Sequence, residues 1–136
     1  MILSDKQQAR EVAAASPPLL SHWLRDAARR CPSACALLTS VAQLTYAQLL
    51  EATESISNRL RDKGFEPGDR IGIAAIRSID TIVAILAAVD AGLGYVPLDL
   101  NYPADRLQAM LEDAGPRIVL GEANALAQLR TAVGSF

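Results

Sequence analysis

The chain of 136 residues is 51% hydrophobic, carries 13 basic against 15 acidic side chains and has a formal charge of −2 at pH 7. That is the size and polarity of one compact domain able to bury a core of its own. With no cluster of either sign there is no electrostatic footprint for nucleic acid or an anionic membrane, and neither is expected as a partner.

The longest apolar run, Ile82 to Val89, is far too short to span a bilayer. The opening Met-Ile-Leu-Ser-Asp-Lys-Gln-Gln has polar residues where a signal peptide carries its apolar stretch, so a soluble, cytoplasmic protein is expected. Cys31 and Cys35 stand four positions apart with His22 as the only histidine, too few ligands for a tetrahedral zinc site. No metal site is expected, and the cysteines read as reduced, buried or half-buried thiols.

In chain order, two helical patterns fill the region to about Arg30, parted by the Ser16-Pro17-Pro18 break. In the second, Leu20, Trp23, Leu24 and Ala27 recur at helical spacing as an apolar docking face, with Arg25, Asp26, Arg29 and Arg30 on the wetter side. Ala34 to Leu38 and Gln43 to Thr45 read as a small hairpin. Thr45-Tyr46-Ala47-Gln48 is a capping-box pattern, which starts a helix at Tyr46. That helix buries Leu49, Leu50, Ile56 and Leu60 and stops at Gly64, where a left-handed residue can cap it.

Phe65 to Asp69 is a turn, and Arg70 to Ile76 reads as a buried strand. Ser78 caps a helix from Ile79 to Ala91 that is apolar around much of its circumference. Gly94 to Leu98 is the next strand, Ala104 to Ala114 a helix, Arg117 to Leu120 a strand and Glu122 to Val133 a last helix, with Ala132 to Phe136 expected to fray. Strand and helix alternate from Arg70 onward. This predicts an α/β chain: a partial three-layer unit with a mainly parallel sheet and crossover helices, preceded by N-terminal helices (1–32) and the short hairpin.

A parallel sheet invites a search for phosphate-cradling loops, and none is found. The strand near Ile76 is followed by Arg77-Ser78-Ile79, without spaced glycines, and no Walker-type run with its lysine occurs. Gly92-Leu93-Gly94 precedes a strand, so its glycines end one element and begin another. Arg77 and Ser78 could hold an anion at a helix start, but a capping serine beside a solvated arginine explains them without a ligand. Glu51 and Glu54 share a helix face and read as solvated. Asp99 has the best position, at the carboxyl end of a parallel strand, where ligands are usually met. Its plainer role is a turn former bonded to the backbone of the Leu100-Asn101 loop, which Tyr102, Pro103 and Arg106 would help to fix over the sheet.

These motifs, taken together and in order, resemble a family. Leu44-Thr45-Tyr46-Ala47-Gln48-Leu49 is similar to the first core motif of the adenylation domains of non-ribosomal peptide synthetases, within the adenylate-forming superfamily. Ala91-Gly92-Leu93-Gly94-Tyr95-Val96-Pro97-Leu98-Asp99 is similar to the second, followed by matching Tyr102-Pro103 and Arg106-Leu107. Pro67-Gly68-Asp69-Arg70 and Arg77-Ser78 fit between them, so the match runs from about Leu20 to Leu120. Departures are Gln48 for glutamate, Gly94 for alanine and Leu100 for proline, and Gln48 preserves the capping box.

The resemblance implies the N-terminal subdomain (33–136) of a cytoplasmic enzyme of secondary metabolism. Such an enzyme activates an amino or other carboxylic acid with ATP and Mg²⁺ and passes the acyl group to a carrier-protein thiol. The family's phosphate loop, substrate pocket, ribose-binding aspartate and C-terminal lysine follow later than this sequence reaches. Hence no catalytic, cofactor-binding or metal residue is assigned here. Thr45, Tyr46, Gly92, Tyr95, Pro97, Asp99, Tyr102, Pro103 and Arg106 are family-motif positions with structural roles. Two readings follow: a piece of an adenylation domain that is silent alone, or a non-catalytic interaction module docking on synthetase partners. The partners implied are the remainder of the domain, neighbouring synthetase domains, or a second copy through an exposed sheet edge. A generic small nucleotide binder is a third, weaker reading.

Overall fold

The computed structural model describes residues 19–134; the first helical pattern, the Ser16-Pro17-Pro18 break and the last two residues lie outside the described residues. Helix α1 (Leu19–Arg30) buries Ser21, Leu24 and Ala28, a stripe at spacings of three and four. The expected face was centred differently. Trp23 is 53% exposed and Leu20 40%, so the docking contact is made by smaller side chains, and Trp23 instead stands edge-on to Tyr46 with ring centroids 6.1 Å apart. A narrow contact lets α1 lie against two helices at once.

Strands β1 (Cys35–Leu38) and β2 (Gln43–Thr45) pair antiparallel, with Cys35 opposite Thr45 and Leu38 opposite Gln43. Thr39 closes their turn, its hydroxyl accepting from the Val41 and Ala42 amides. Cys31 and Cys35 are free and exposed rather than buried, because one follows α1 and the other opens a thin two-stranded hairpin.

Helix α2 (Tyr46–Asp62) starts with the expected reciprocal cap: the Gln48 amide donates to Thr45 Oγ1 (3.3 Å) and the Thr45 amide to Gln48 Oε1 (2.9 Å). Its end is a Schellman motif. Gly64, at φ +75°, donates to the Arg61 carbonyl, Phe65 donates to that of Leu60, and both Phe65 and Leu60 are buried. Leu49 and Leu60 are buried as expected, whereas Leu50 and Ile56 are half-buried and Thr53 and Ser57 take the innermost positions. Two polar residues at a helix interface mark a place where the packing is not purely apolar.

Strand β3 (Arg70–Ala75), helix α3 (Ile79–Asp90), strand β4 (Gly94–Asp99), helix α4 (Ala104–Ala114), strand β5 (Val119–Leu120) and helix α5 (Ala123–Val133) complete the chain. The sheet order is β4-β3-β5, with both neighbours parallel to β3. β5 is shorter than expected, since only Gly72↔Val119 and Ile73↔Leu120 pair regularly, and α5 holds its helix through Val133 rather than fraying from Ala132.

Alternation along β3 divides the core. Ile71 and Ile73 face α2 and α3, packing with Leu60, Phe65, Ala84 and Ala88; Ala74 faces α4 and α5 with Leu98, Leu107 and Leu129. Gly72 lies on that second face, where an added Cβ would stand 3.0 Å from Val119 Cγ2, so the absent side chain lets β5 and β4 close around β3. This is the partial three-layer α/β unit the sequence predicts. A third cluster, Leu24, Leu49 and Val83, fastens α1 to α2 and α3.

Candidate functional site at the carboxyl end of the sheet

The two βα turns leaving β3 and β4 open on the same side, and between them lies a cleft of about 620 Å³ lined by Arg77, Asp99, Asn101, Tyr102 and Gln128 among others. Clefts outside the carboxyl ends of parallel strands are where α/β folds usually meet ligands. The polar groups around this one are largely engaged in shaping the chain. Asp99 Oδ1 accepts from the Asn101 amide (3.0 Å) and from Asn101 Nδ2 (2.8 Å), and the Asp99 carbonyl accepts from the Tyr102 amide. Asp99 thus shapes the turn through Asn101.

Arg106 places its guanidinium 4.0 Å from the centroid of the Tyr102 ring, and Pro103 begins α4, its carbonyl accepting from Arg106 and Leu107. Tyr102 and Arg106 thus link the loop to the start of α4. Ser78 accepts from the Thr81 amide (3.2 Å) while Arg77 is exposed.

The motif positions do not converge. Pro97, Asp99, Tyr102, Pro103 and Arg106 gather at the carboxyl end of β4. Gly92 and Tyr95 sit at its other end, where Gly92 takes φ +74° against Pro67 and Tyr95 is 40% exposed. Thr45 and Tyr46 cap α2 beside the hairpin. ATP with Mg²⁺ does not fit the cleft: Asp99 is its only carboxylate, already bonded to Asn101, and the sequence has no phosphate loop. Among the described residues no cluster of three metal-binding side chains occurs.

The densest charge constellation lies elsewhere and went unread in the sequence. Asp90, at the end of α3 with its side chain 3% exposed, accepts from Ser57 Oγ (2.7 Å), Arg25 (2.8 Å) and Arg61 (3.1 Å). Arg25 also donates to Glu54 (3.1 Å), so that glutamate is tied down rather than merely solvated. Burial pushes the Asp90 carboxyl up, but the Ser57 hydroxyl, Arg61 and Arg25 together outweigh it and hold the group below its ordinary value. A second pair, Arg117 to Asp69 at 2.6 Å, stacks the arginine over Phe65 and also bonds the Gly64 carbonyl. These residues lie far apart in sequence, and no local spacing signals them.

Comparison with known proteins fits what the fold and motifs define. The model of the AMP-binding enzyme family matches residues 24–135, and the chain belongs to that family. Within the family its likeness is to the adenylation domains of nonribosomal peptide synthetases. Enterobactin synthase component F of Escherichia coli O157:H7 is 39% identical over 101 residues, covering 74% of this chain and 8% of the relative. Tyrocidine synthase 3 of Brevibacillus parabrevis is 34% identical over 109 residues, 80% of this chain and 2% of the relative. The solved nonribosomal peptide synthetase FmoA3 superposes with a TM-score of 0.77 at 34% identity, over 82% of this chain and 12% of that one. The sequence thus spans only a small part of these multidomain proteins. No helix among the described residues is long and apolar enough to cross a membrane.

Proposed function

We propose that this chain is a scaffold portion of an amino-acid-adenylating enzyme of nonribosomal peptide synthesis, acting in the cytoplasm in secondary metabolism and catalytically silent alone. In the complete enzyme, ATP and Mg²⁺ would be held by segments beyond these residues. One observation carries the reading: the polar motif side chains Thr45, Ser78 and Asp99 are spent on helix caps and a turn, not aimed together at a reacting atom. What the motifs supply is a rigid β3–β4 platform with a fixed loop at its carboxyl end. The test is ATP–pyrophosphate exchange by the 136-residue protein with a panel of amino and aryl acids. Exchange at the background rate is expected, and turnover dependent on one acid would overturn the reading.

A second reading, a non-catalytic module that docks on synthetase partners, is favoured by exposed apolar side chains on α1 and the hairpin. Trp23, Leu38 and Val41 are 53%, 73% and 91% exposed, apolar area that a docked partner would cover. Pull-down against purified neighbouring synthetase domains separates the two readings. A stable complex with a domain other than the adenylation core supports the module.

A further inference from the structure

The hairpin is a two-stranded sheet, and its two outer edges are not alike. The Thr39 amide donates to the Ala42 carbonyl (2.8 Å) and the Tyr46 amide to that of Ala34 (3.0 Å), which marks residues whose backbone groups face across the hairpin. In an antiparallel pair such residues alternate with ones whose groups face away. The pairs Leu38↔Gln43 and Cys35↔Thr45 therefore turn their N–H and C=O groups outward. On β2 the outward Thr45 N–H is taken by Gln48 Oε1 (2.9 Å), so the cap of α2 also closes that edge.

β1 has no such guard. Among the described residues it has no strand on its other side, where the backbone groups of Cys35 and Leu38 point. Exposed edges are commonly protected by charge or proline. Residues 31–50 carry no charged side chain, and their only proline, Pro32, lies before β1. Leu37 and Leu44 pack toward α2, while Leu38 and Cys35 are exposed on the opposite face. β1 is also bulged between Cys35 and Leu37. Its outward residues thus stand three positions apart, where an even strand sets them two apart.

We infer that β1 is a self-association edge: two copies of this chain pair β1 with β1 about a twofold axis, Cys35 of each against Leu38 of the other. A strand that meets both outward residues needs the same spacing read in reverse, and the twofold-related β1 supplies it. Each Cys35–Leu38 pair then exchanges both of its backbone hydrogen bonds, and each exposed Leu38 side chain lies beside the second copy's Cys35. No like charges meet, because the strand carries none. With β2 closed by the helix cap, pairing stops at two copies instead of growing into a filament. An even strand of another protein fits worse, since its outward groups fall out of step with the bulge. The pairing needs none of the adenylation chemistry, so the outcome of pyrophosphate exchange has no bearing on it.

The test is sedimentation equilibrium and amide hydrogen exchange of the 136-residue protein over a concentration series, with a thiol reductant present so that no disulfide contributes. A monomer–dimer equilibrium is expected, with exchange of the Leu38 amide slowing about tenfold or more from dilute to concentrated protein while Gln43 stays unchanged. Leu38→Lys and Cys35→Asp alter exposed side chains and should each weaken self-association about tenfold or more. Mixed together, these two variants should pair with one another more tightly than either pairs with itself, because the register sets the introduced cation against the introduced carboxylate. Leu38→Pro, which removes the outward N–H but no bond to β2, should leave a folded monomer, checked by an amide spectrum that otherwise persists. A protein that stays monomeric at the highest concentration would overturn the inference. So would a dimer that protects Gln43 and not Leu38, single variants that dimerise like the parent, or a mixture that associates no better than its components. A neighbouring synthetase domain that protects Leu38 while the chain alone remains monomeric would equally overturn it, and would assign the edge to that domain.

Discussion

Asp90 shows how much one side chain can hold together. It sits at the last residue of α3 yet bonds to α1 through Arg25 and to α2 through Ser57 and Arg61, so three helices meet on one carboxylate. Arg25 and Arg61 are about two-fifths exposed, at 39% and 44%, and can turn to water when the carboxylate is lost. That tempers the cost of breaking the cluster. Asp90→Asn should destabilise the protein by about 2 kcal/mol at pH 7, below the cost of stranding fully buried partners. Because the folded-state pKa lies below the ordinary 3.8, this stabilisation is fully present above that value and is lost as pH falls through the folded pKa. Urea unfolding of both proteins at pH 7 and at successively lower pH measures it. The gap between their midpoints should narrow below about pH 4, and a gap that holds constant into acid would count against the assignment.

At the scale of elements, the parts legible in the sequence were those dictated by neighbours in the chain. The Thr45–Gln48 box needs only two side chains three apart, and the stop at Gly64 needs one left-handed glycine followed by an apolar residue. Both were readable. Gln48→Ala should therefore cost about 0.5–1 kcal/mol in thermal or urea unfolding, while Gln48→Glu should keep the box and cost little. Equal losses in the two variants would show that Gln48 acts through packing instead. What stayed illegible depended on partners far along the chain. The inward face of α1 is set by where α2 and α3 lie, which helical periodicity around Trp23 cannot reveal, and the length of β5 is set by its pairing with Gly72 and Ile73. The candidate site divides in the same way. The Asp99 turn and the stacking of Arg106 on Tyr102 join residues two to four apart in the chain, whereas Gln128 reaches the cleft from a helix wound on after β5.

For the molecule as a whole, the sheet order distributes stability unevenly. β3 is flanked on both sides, and β4 pairs with it over six positions, from Arg70↔Gly94 to Ala75↔Asp99. α3 connects these two strands and is held to α1 and α2 by the Asp90 cluster as well as by Leu24, Leu49 and Val83. The other side is thinner, since β5 pairs over two positions and Ile118 and Leu120 are only half-buried against the core. Segments with few paired backbone groups and partly uncovered apolar side chains open at lower free energy than the core. Native-state hydrogen exchange should therefore find β5 and α5 opening below the free energy of global unfolding, with β3, α3 and β4 exchanging only through it. Uniform protection would mean that the two-residue pairing and the α5 packing around Leu129 already suffice.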